Sequence, residues 1–278
     1  MTWNEYDAGE LEQQYNPRVS VGDPAPYFAR YQEQSEQARR ELAHESDIAY
    51  GDGPLETLDV FPAASPDAPI HVFIHGGYWR SQDKRDYAFI ARHLAPAGIT
   101  TVIPNYDLCP AVTVAEIETE LVRCLDFVVA RAGRLGGRAD RVSVSGHSAG
   151  GQLVAALLRD RPHCLQAAVP VSGVFDLEPL LWTSINNELH LDADEARRRS
   201  PLRWPAPPAT VPLWCLVGGG ESTEFRRQTE DYAERAARAG VPVVREEIPD
   251  RNHFSVVTEL FGGGRWTDRL IGMIRSSG

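Results

Sequence analysis

Gly146-His147-Ser148-Ala149-Gly150 is the stretch of this 278-residue sequence that decides the fold. The strand-like run 141–145 precedes it, and the helix-like run 151–158 follows it. A strand, a Gly-x-Ser-x-Gly turn and a helix in this order form a nucleophile elbow, which projects the serine hydroxyl out of the sheet. The glycines leave room for the turn, and the helix start favours developing negative charge. The alternative interpretation is a glycine-rich turn that carries an incidental serine.

The rest of the chain alternates short apolar runs with amphipathic ones. The predicted strands are 57–61, 70–74, 99–103, 141–145, 167–171, 212–217 and 243–248. The predicted helices are 86–94, 113–131, 224–239 and 266–274, and residues 1–50 show a pattern of helices and turns without strand alternation. Such alternation predicts the α/β class, with a mostly parallel central sheet and helices on both faces, as in the α/β-hydrolase fold.

One segment interrupts this rhythm. Residues 176–210 contain Trp182, Trp204 and five prolines between two predicted strands. We interpret the segment as a small cap or lid over the carboxyl ends of the strands, where open α/β sheets bind ligands. With no low-complexity linker and no repeat, residues 1–278 are predicted to form a single domain.

The amino-acid composition indicates which binding partners and which cellular location to expect. A net charge of −11 provides no basic surface for nucleic acid or for an anionic membrane, so a small-molecule substrate is the expected partner. No run of about 18 apolar residues predicts a membrane span, and the N-terminus lacks an apolar signal core. Four scattered cysteines without CxxC spacing indicate reduced thiols and a cytoplasmic protein. The oligomeric state stays open, with a homodimer as one option.

A serine nucleophile needs a base and a group that orients the base. In hydrolases with this elbow, the acid and then the histidine follow the serine along the chain. His253 lies in a polar loop after the last predicted strand, and Glu221 follows Gly218-Gly219-Gly220 after the preceding strand. We therefore predict a triad of Ser148, Glu221 and His253. Other carboxylates in this part of the sequence leave alternatives for the acid: Glu224, Asp250 and Asp176.

The oxyanion that forms on serine attack requires backbone donors. Ala149 follows the nucleophile, and Gly76 and Gly77 follow the strand at 70–74, so these three N–H groups are the predicted oxyanion hole. His71 and His75 have a zinc-like spacing but lie on or just after a strand without an HExxH motif, so we predict no metal and no cofactor.

Several segments together resemble a known family, the α/β-hydrolase arylformamidases (kynurenine formamidases), which are related to the hormone-sensitive-lipase-like esterases. The segments that carry this resemblance are 75–80, 83–84, 105–110, 146–150 and 221–228, with 15–18 near the N-terminus. The resemblance implies hydrolysis of N-formyl-L-kynurenine to L-kynurenine and formate. It also suggests aromatic residues that line the substrate pocket, with core packing as the alternative for each: Tyr78, Trp79, Trp182 and Trp204.

Two other functions stay open at this point. A small-acyl carboxylesterase acting on aryl or alkyl esters would use the same triad and oxyanion hole. A non-catalytic binding protein on a hydrolase fold is the other alternative, because a fold does not fix a function.

Overall fold

A twisted sheet of eight strands forms the centre of the protein, in a computed structural model that describes residues 3–276. The strands are β1 (Glu45–Ala49), β2 (Thr57–Phe61), β3 (Ile70–Ile74), β4 (Thr100–Pro104), β5 (Val142–His147), β6 (Ala167–Val171), β7 (Leu213–Gly218) and β8 (Val243–Ile248). Their order is β1-β2-β4-β3-β5-β6-β7-β8. The pairs β1/β2 and β2/β4 are antiparallel and all others are parallel, which confirms the predicted mostly parallel sheet.

Helices cover both faces of the sheet. The α-helices are α1 (Ala8–Tyr15), α2 (Pro17–Ser20), α3 (Ala25–Glu41), α4 (Ala91–Leu94), α5 (Val114–Ala130), α6 (Ala149–Asp160), α7 (Asn186–Leu189), α8 (Ala193–Arg198), α9 (Thr223–Arg238), α10 (Ser255–Phe261) and α11 (Arg265–Ser276). Short 3-10 helices span Trp3–Glu5, Lys84–Ile90, Pro162–Cys164, Glu178–Trp182 and Pro201–Arg203. Within residues 3–276, no helix has the length and apolar character needed to cross a membrane.

Strand β3 shows why helices pack on both faces of the sheet. All five of its residues are buried. Ile70, Val72 and Ile74 belong to the core that contains the apolar faces of α5, α6 and α9, whereas Phe73 belongs to the core formed with α3, α4, α10 and α11. Each large apolar side chain that is removed from water contributes about 1.5–3 kcal/mol, so such a strand is stable only between two layers.

Three elements differ from the sequence-based expectation, and one of them is α10, which no predicted helix covers. Strand β1 lies in the segment expected to contain only helices and turns; it is an exposed edge strand held by backbone hydrogen bonds to β2, so it has no apolar alternation to predict it. The helix predicted at 86–94 is a 3-10 helix, Lys84–Ile90, followed by α4. Asp83 caps this 3-10 helix by accepting from the backbone N–H of Arg85, and residues 87–90 are all buried.

Polar contacts, one buried and two exposed, hold the N-terminal helix α1 against the rest of the molecule. Tyr15 Oη donates to Oε2 of Glu224 on α9 at 2.5 Å. Glu12 accepts hydrogen bonds from the backbone N–H and the hydroxyl of Ser184 at 2.8 and 2.6 Å. The segment 176–210 therefore packs against α1. These contacts fix the position of the residues that follow α1, which lie at the carboxyl end of the sheet.

Candidate active site

The turn between β5 and α6 places Ser148 at the carboxyl end of the central strands. Ser148 adopts φ +58°, a left-handed conformation that is strained for a residue with a side chain. The flanking glycines are required sterically: a Cβ at Gly146 would overlap the carbonyl of Gly150, and a Cβ at Gly150 would overlap the carbonyl of Ile74. The turn thus has the geometry expected of a nucleophile elbow.

Neighbouring strands supply the groups predicted to act with this serine. Glu221 follows β7 and His253 follows β8, next to each other in the sheet. His253 Nδ1 lies 2.6 Å from Oε2 of Glu221, and the Glu221 side chain is fully buried. The His253 ring is held between the rings of His147 and Phe225, each with its centroid 4.5 Å away. The structure therefore brings the predicted base and acid into one hydrogen-bonded pair.

The other oxygen of Glu221 is also engaged. Oε1 accepts a hydrogen bond from the backbone N–H of Gly218 at 2.7 Å and from Oγ of Ser172 at 2.5 Å. Ser172 is fully buried directly after β6, with φ +50°. The sequence analysis missed this residue. Its position directly after the predicted strand at 167–171 was a signal in the sequence, but only the strand order of the folded sheet brings it to Glu221.

Removal of the Ser172 hydroxyl is expected to weaken the positioning of Glu221. We expect Ser172→Ala to lower kcat by about five- to tenfold, because a net hydrogen bond of this kind is worth about 1 kcal/mol and Glu221 retains its other partners. The measurement is kcat with saturating substrate. A matched control is Ser143→Ala, which removes a buried hydroxyl bonded to His71 on the amino-terminal half of β5. Equal kcat losses in the two variants would contradict the positioning role.

The alternative carboxylates have other partners. Glu224 is fully buried and binds Tyr15 and Arg227, the latter at 2.7 Å. Asp176 accepts a hydrogen bond from the backbone N–H of Glu178 at 3.2 Å. Asp250 is exposed in the turn after β8, with φ +58°. Among the carboxylates of the described residues, only Glu221 forms a hydrogen bond with the imidazole of His253.

His147, inside the elbow, is buried next to the base. Burial lowers its pKa well below the usual value, and the neighbouring His253 lowers it further. The imidazole is therefore neutral near pH 7 and adds no charge beside His253.

The loop after β3 approaches Ser148 closely. A Cβ on Gly76 would lie 2.8 Å from the carbonyl oxygen of His147 and 3.0 Å from Cβ of Ser148, so only glycine fits here. Gly77 has φ +102°. Ala149 is the first residue of α6, where the helix has no internal partner for the N–H. The three predicted oxyanion donors thus belong to backbone segments that meet at the serine.

A polar network lies behind this loop. His75 Nδ1 lies 2.8 Å from the carbonyl oxygen of Gly76, and its Nε2 lies 3.1 Å from Oδ1 of Asn105. Tyr106 Oη donates to the carbonyl oxygen of His75 at 2.9 Å. Burial lowers the pKa of His75, so this histidine serves as a neutral hydrogen-bonding support for the loop and is not part of the triad.

Ser148 and His253 line one open cleft with about 480 Å³ of empty space. Of the four aromatic residues predicted for the pocket, the structure brings only Tyr78 to this cleft. Trp79 is fully buried and donates to Gln152 at 3.2 Å, whereas Trp182 is 54% exposed and stacks on Trp3. Trp204 packs under the guanidinium of Arg159. For these three tryptophans the structure supports packing roles.

The N-terminal segment supplies the cleft wall that the sequence analysis assigned to the insertion. Asn16, Pro17, Arg18 and Phe28 line the cleft, and none of its lining residues comes from 176–210. From the insertion, Glu188 forms an ion pair at 2.5 Å with Arg80, one of the lining residues. The chain before β1 therefore forms this wall of the cleft, and a cap role for residues 176–210 stays a prediction.

Comparisons with known proteins agree with this geometry. The alpha/beta hydrolase fold family matches residues 71–256. A kynurenine formamidase from Danio rerio is 30% identical, with 93% of each chain covered. The chain belongs to the kynurenine formamidase family. A second family member, from Salmo salar, is 29% identical with 97% of each chain covered.

Proteins named as esterases or thioesterases are also similar to this member of the kynurenine formamidase family. LipM of Mycobacterium tuberculosis, provisionally assigned as a carboxylic ester hydrolase, is 29% identical over 81% of this chain and 59% of its own. Among solved structures, a Silicibacter protein with a provisional thioesterase assignment has a TM-score of 0.84 and 28% identity, covering 96% of this chain and 99% of its own. A Pyrobaculum calidifontis esterase, at TM-score 0.72 and 18% identity over 97% of this chain and 96% of its own, shares the fold.

Proposed function

We propose that this hydrolase removes the formyl group from an aryl formamide, N-formyl-L-kynurenine, to give L-kynurenine and formate. The observation that carries the proposal is the full-length similarity to kynurenine formamidases in a chain whose acid–base pair, at 2.6 Å, lines a cleft with the elbow serine.

In the proposed first half-reaction, Ser148 Oγ attacks the formyl carbon. Glu221 holds the Nδ1–H of His253, so Nε2 is the nitrogen that takes the serine proton. The N–H groups of Gly76, Gly77 and Ala149 bind the oxyanion. Each such donor typically contributes about 3 kcal/mol of transition-state stabilisation.

The tetrahedral intermediate then collapses. His253 gives its proton to the departing aryl amine, which leaves as L-kynurenine, and Ser148 remains as its formyl ester. Water, activated by the same imidazole, attacks this ester and releases formate. Tyr78 is positioned in the cleft wall to contact the aryl group.

Esterase activity is the second candidate, supported by the similarity to LipM and to the Silicibacter protein. The same triad and oxyanion hole would serve an ester, which is an easier substrate because its leaving group needs less protonation. The alternative of a non-catalytic binding protein is not retained, since the chain belongs to a family of hydrolytic enzymes.

A substrate panel separates these candidates. We expect kcat/KM for N-formyl-L-kynurenine to exceed that for phenyl acetate and for a short acyl thioester by at least about tenfold, because a polar site discriminates strongly between substrates that fill its hydrogen bonds and those that do not. The assay follows L-kynurenine or acid release under identical conditions. A preferred ester or thioester would overturn the formamidase proposal in favour of that activity.

A cytoplasmic location and a homodimer remain predictions. All four cysteines are free thiols, three of them buried, which supports a reducing compartment. Sedimentation of the purified chain measures the oligomeric state directly.

A further inference from the structure

The charge of the active-site cleft is opposite to that of the whole chain. The chain carries a net charge of −11. The residues that line the cleft nevertheless include Arg18 and Arg80, and no aspartate or glutamate among those described. The buried carboxylate of Glu221 lies behind His253 and does not line the cleft. The permanently charged side chains among the described residues that line the cleft are therefore all cationic.

The two arginines differ in how their charges are balanced. Arg80 forms an ion pair with Glu188 at 2.5 Å. Its positive charge also helps to lower the pKa of Glu12. Arg18 makes no ion pair with any described residue. Its guanidinium stands 5.6 Å from the ring centroid of Phe28, which also lines the cleft. Arg18 is thus an uncompensated cation at the site, steadied by an aromatic face.

The backbone around Arg18 is held rigidly for an exposed segment. Its N–H donates to Oδ1 of Asn16 at 3.1 Å, at the start of α2. Just before it, the carbonyl of Tyr15 accepts a hydrogen bond from Tyr78 Oη, and the carbonyl of Gln14 accepts one from Ser222 Oγ at 2.6 Å. The backbone that carries Arg18 is therefore anchored to both the oxyanion loop and the start of α9.

We propose that Arg18 binds a carboxylate of the substrate and makes this enzyme selective for acyl donors that carry a carboxylate. The acyl group would lie at Ser148, the aromatic body along Tyr78 and Phe254, and the carboxylate at the guanidinium over Phe28. This inference rests on the proposed function for its substrate, since N-formyl-L-kynurenine carries such a carboxylate. A planar guanidinium matches a carboxylate through two parallel hydrogen bonds.

The test compares N-formyl-L-kynurenine with its carboxamide, in which an uncharged amide replaces the carboxylate. In the wild type, the acid is expected to be preferred. Arg18→Gln is expected to lower kcat/KM for the acid by about 10- to 100-fold, mainly through KM, because a charge-assisted contact is lost. The same variant is expected to change kcat/KM for the carboxamide by no more than about twofold. Arg18→Lys is expected to retain part of the preference for the acid over the carboxamide. Equal losses on both substrates, or no loss on either, would overturn the proposal.

Arg131→Gln is the matched control. Arg131 is also exposed and stacks on a phenylalanine, Phe127, at 4.7 Å, but it lies outside the cleft. This variant is expected to keep wild-type values for both substrates.

A second substrate pair separates this inference from the formamidase proposal. It consists of 4-acetoxyphenylacetic acid and 4-acetoxyphenylacetamide, which differ only in the carboxylate. If the formamides are not cleaved but Arg18→Gln abolishes a preference for the acetoxy acid, the formamidase proposal fails and the role of Arg18 stands. If the wild type shows no preference for the acid in any pair that it cleaves, the role of Arg18 fails.

Discussion

Ser148→Ala is expected to abolish turnover, with kcat reduced by about 10⁵- to 10⁶-fold, because no other group can form the acyl intermediate. The variant should fold, since alanine fits wherever serine fits and the backbone N–H of Ser148 keeps its bond to the carbonyl of Val171 at 2.9 Å. The measurement is kcat on N-formyl-L-kynurenine, together with the thermal midpoint. Substrate affinity should remain within a few-fold, because the cleft walls are unchanged.

Ser145→Ala provides the control for this result. Ser145 lies on the same strand, is fully buried and has its hydroxyl 2.7 Å from Nε2 of His71. Its loss is expected to reduce stability by about 1 kcal/mol and to leave kcat nearly unchanged. Residual turnover by Ser148→Ala at even a hundredth of the wild-type rate would assign the nucleophile to another group.

Glu221→Gln is expected to lower kcat by about 10³- to 10⁴-fold, although it changes a single atom. In the wild type, Oε1 accepts from Ser172 and Gly218 while Oε2 faces His253 Nδ1. The glutamine oxygen is expected to take the place with two donors, which turns the amide NH₂ toward Nδ1. Histidine would then hold the wrong tautomer, with its proton on the nitrogen that should receive one from Ser148.

The control for this variant is Asp250→Asn. Asp250 was an alternative for the acid, lies three residues from the base and has φ +58°, which asparagine tolerates. Its kcat is expected to stay close to the wild-type value. A large loss for Asp250→Asn with little loss for Glu221→Gln would move the acid to residue 250.

The sequence predicted the centre of the site because local sterics determine it. Gly146 and Gly150 each face a backbone carbonyl that leaves no space for a Cβ. The local sequence is therefore enough to predict the elbow. Glu221 and His253 were placed by a topological rule, since groups after adjacent parallel strands meet at one sheet edge. The mostly parallel sheet followed from buried apolar runs such as β3.

Features that depend on tertiary packing were not predictable in the same way. A tryptophan such as Trp79 can pack in a core or line a pocket, and the sequence does not distinguish the two. The structure places Trp79 in the core. Ser172 acquires its role only because β6 lies between β5 and β7. Arg18 reaches the cleft through the docking of α1 on α9, a contact between residues more than 200 positions apart. No local pattern encodes these arrangements.

Reaction with a fluorophosphonate tests the central claim most directly, because this reagent requires a serine activated by a neighbouring base. We predict one phosphonate per chain, located on Ser148 by peptide mass spectrometry, with labelling lost in Ser148→Ala and strongly slowed in Glu221→Gln. Modification of a different residue, or full hydrolytic activity in an enzyme left unlabelled by excess reagent, would contradict a nucleophilic Ser148 activated by His253 and Glu221.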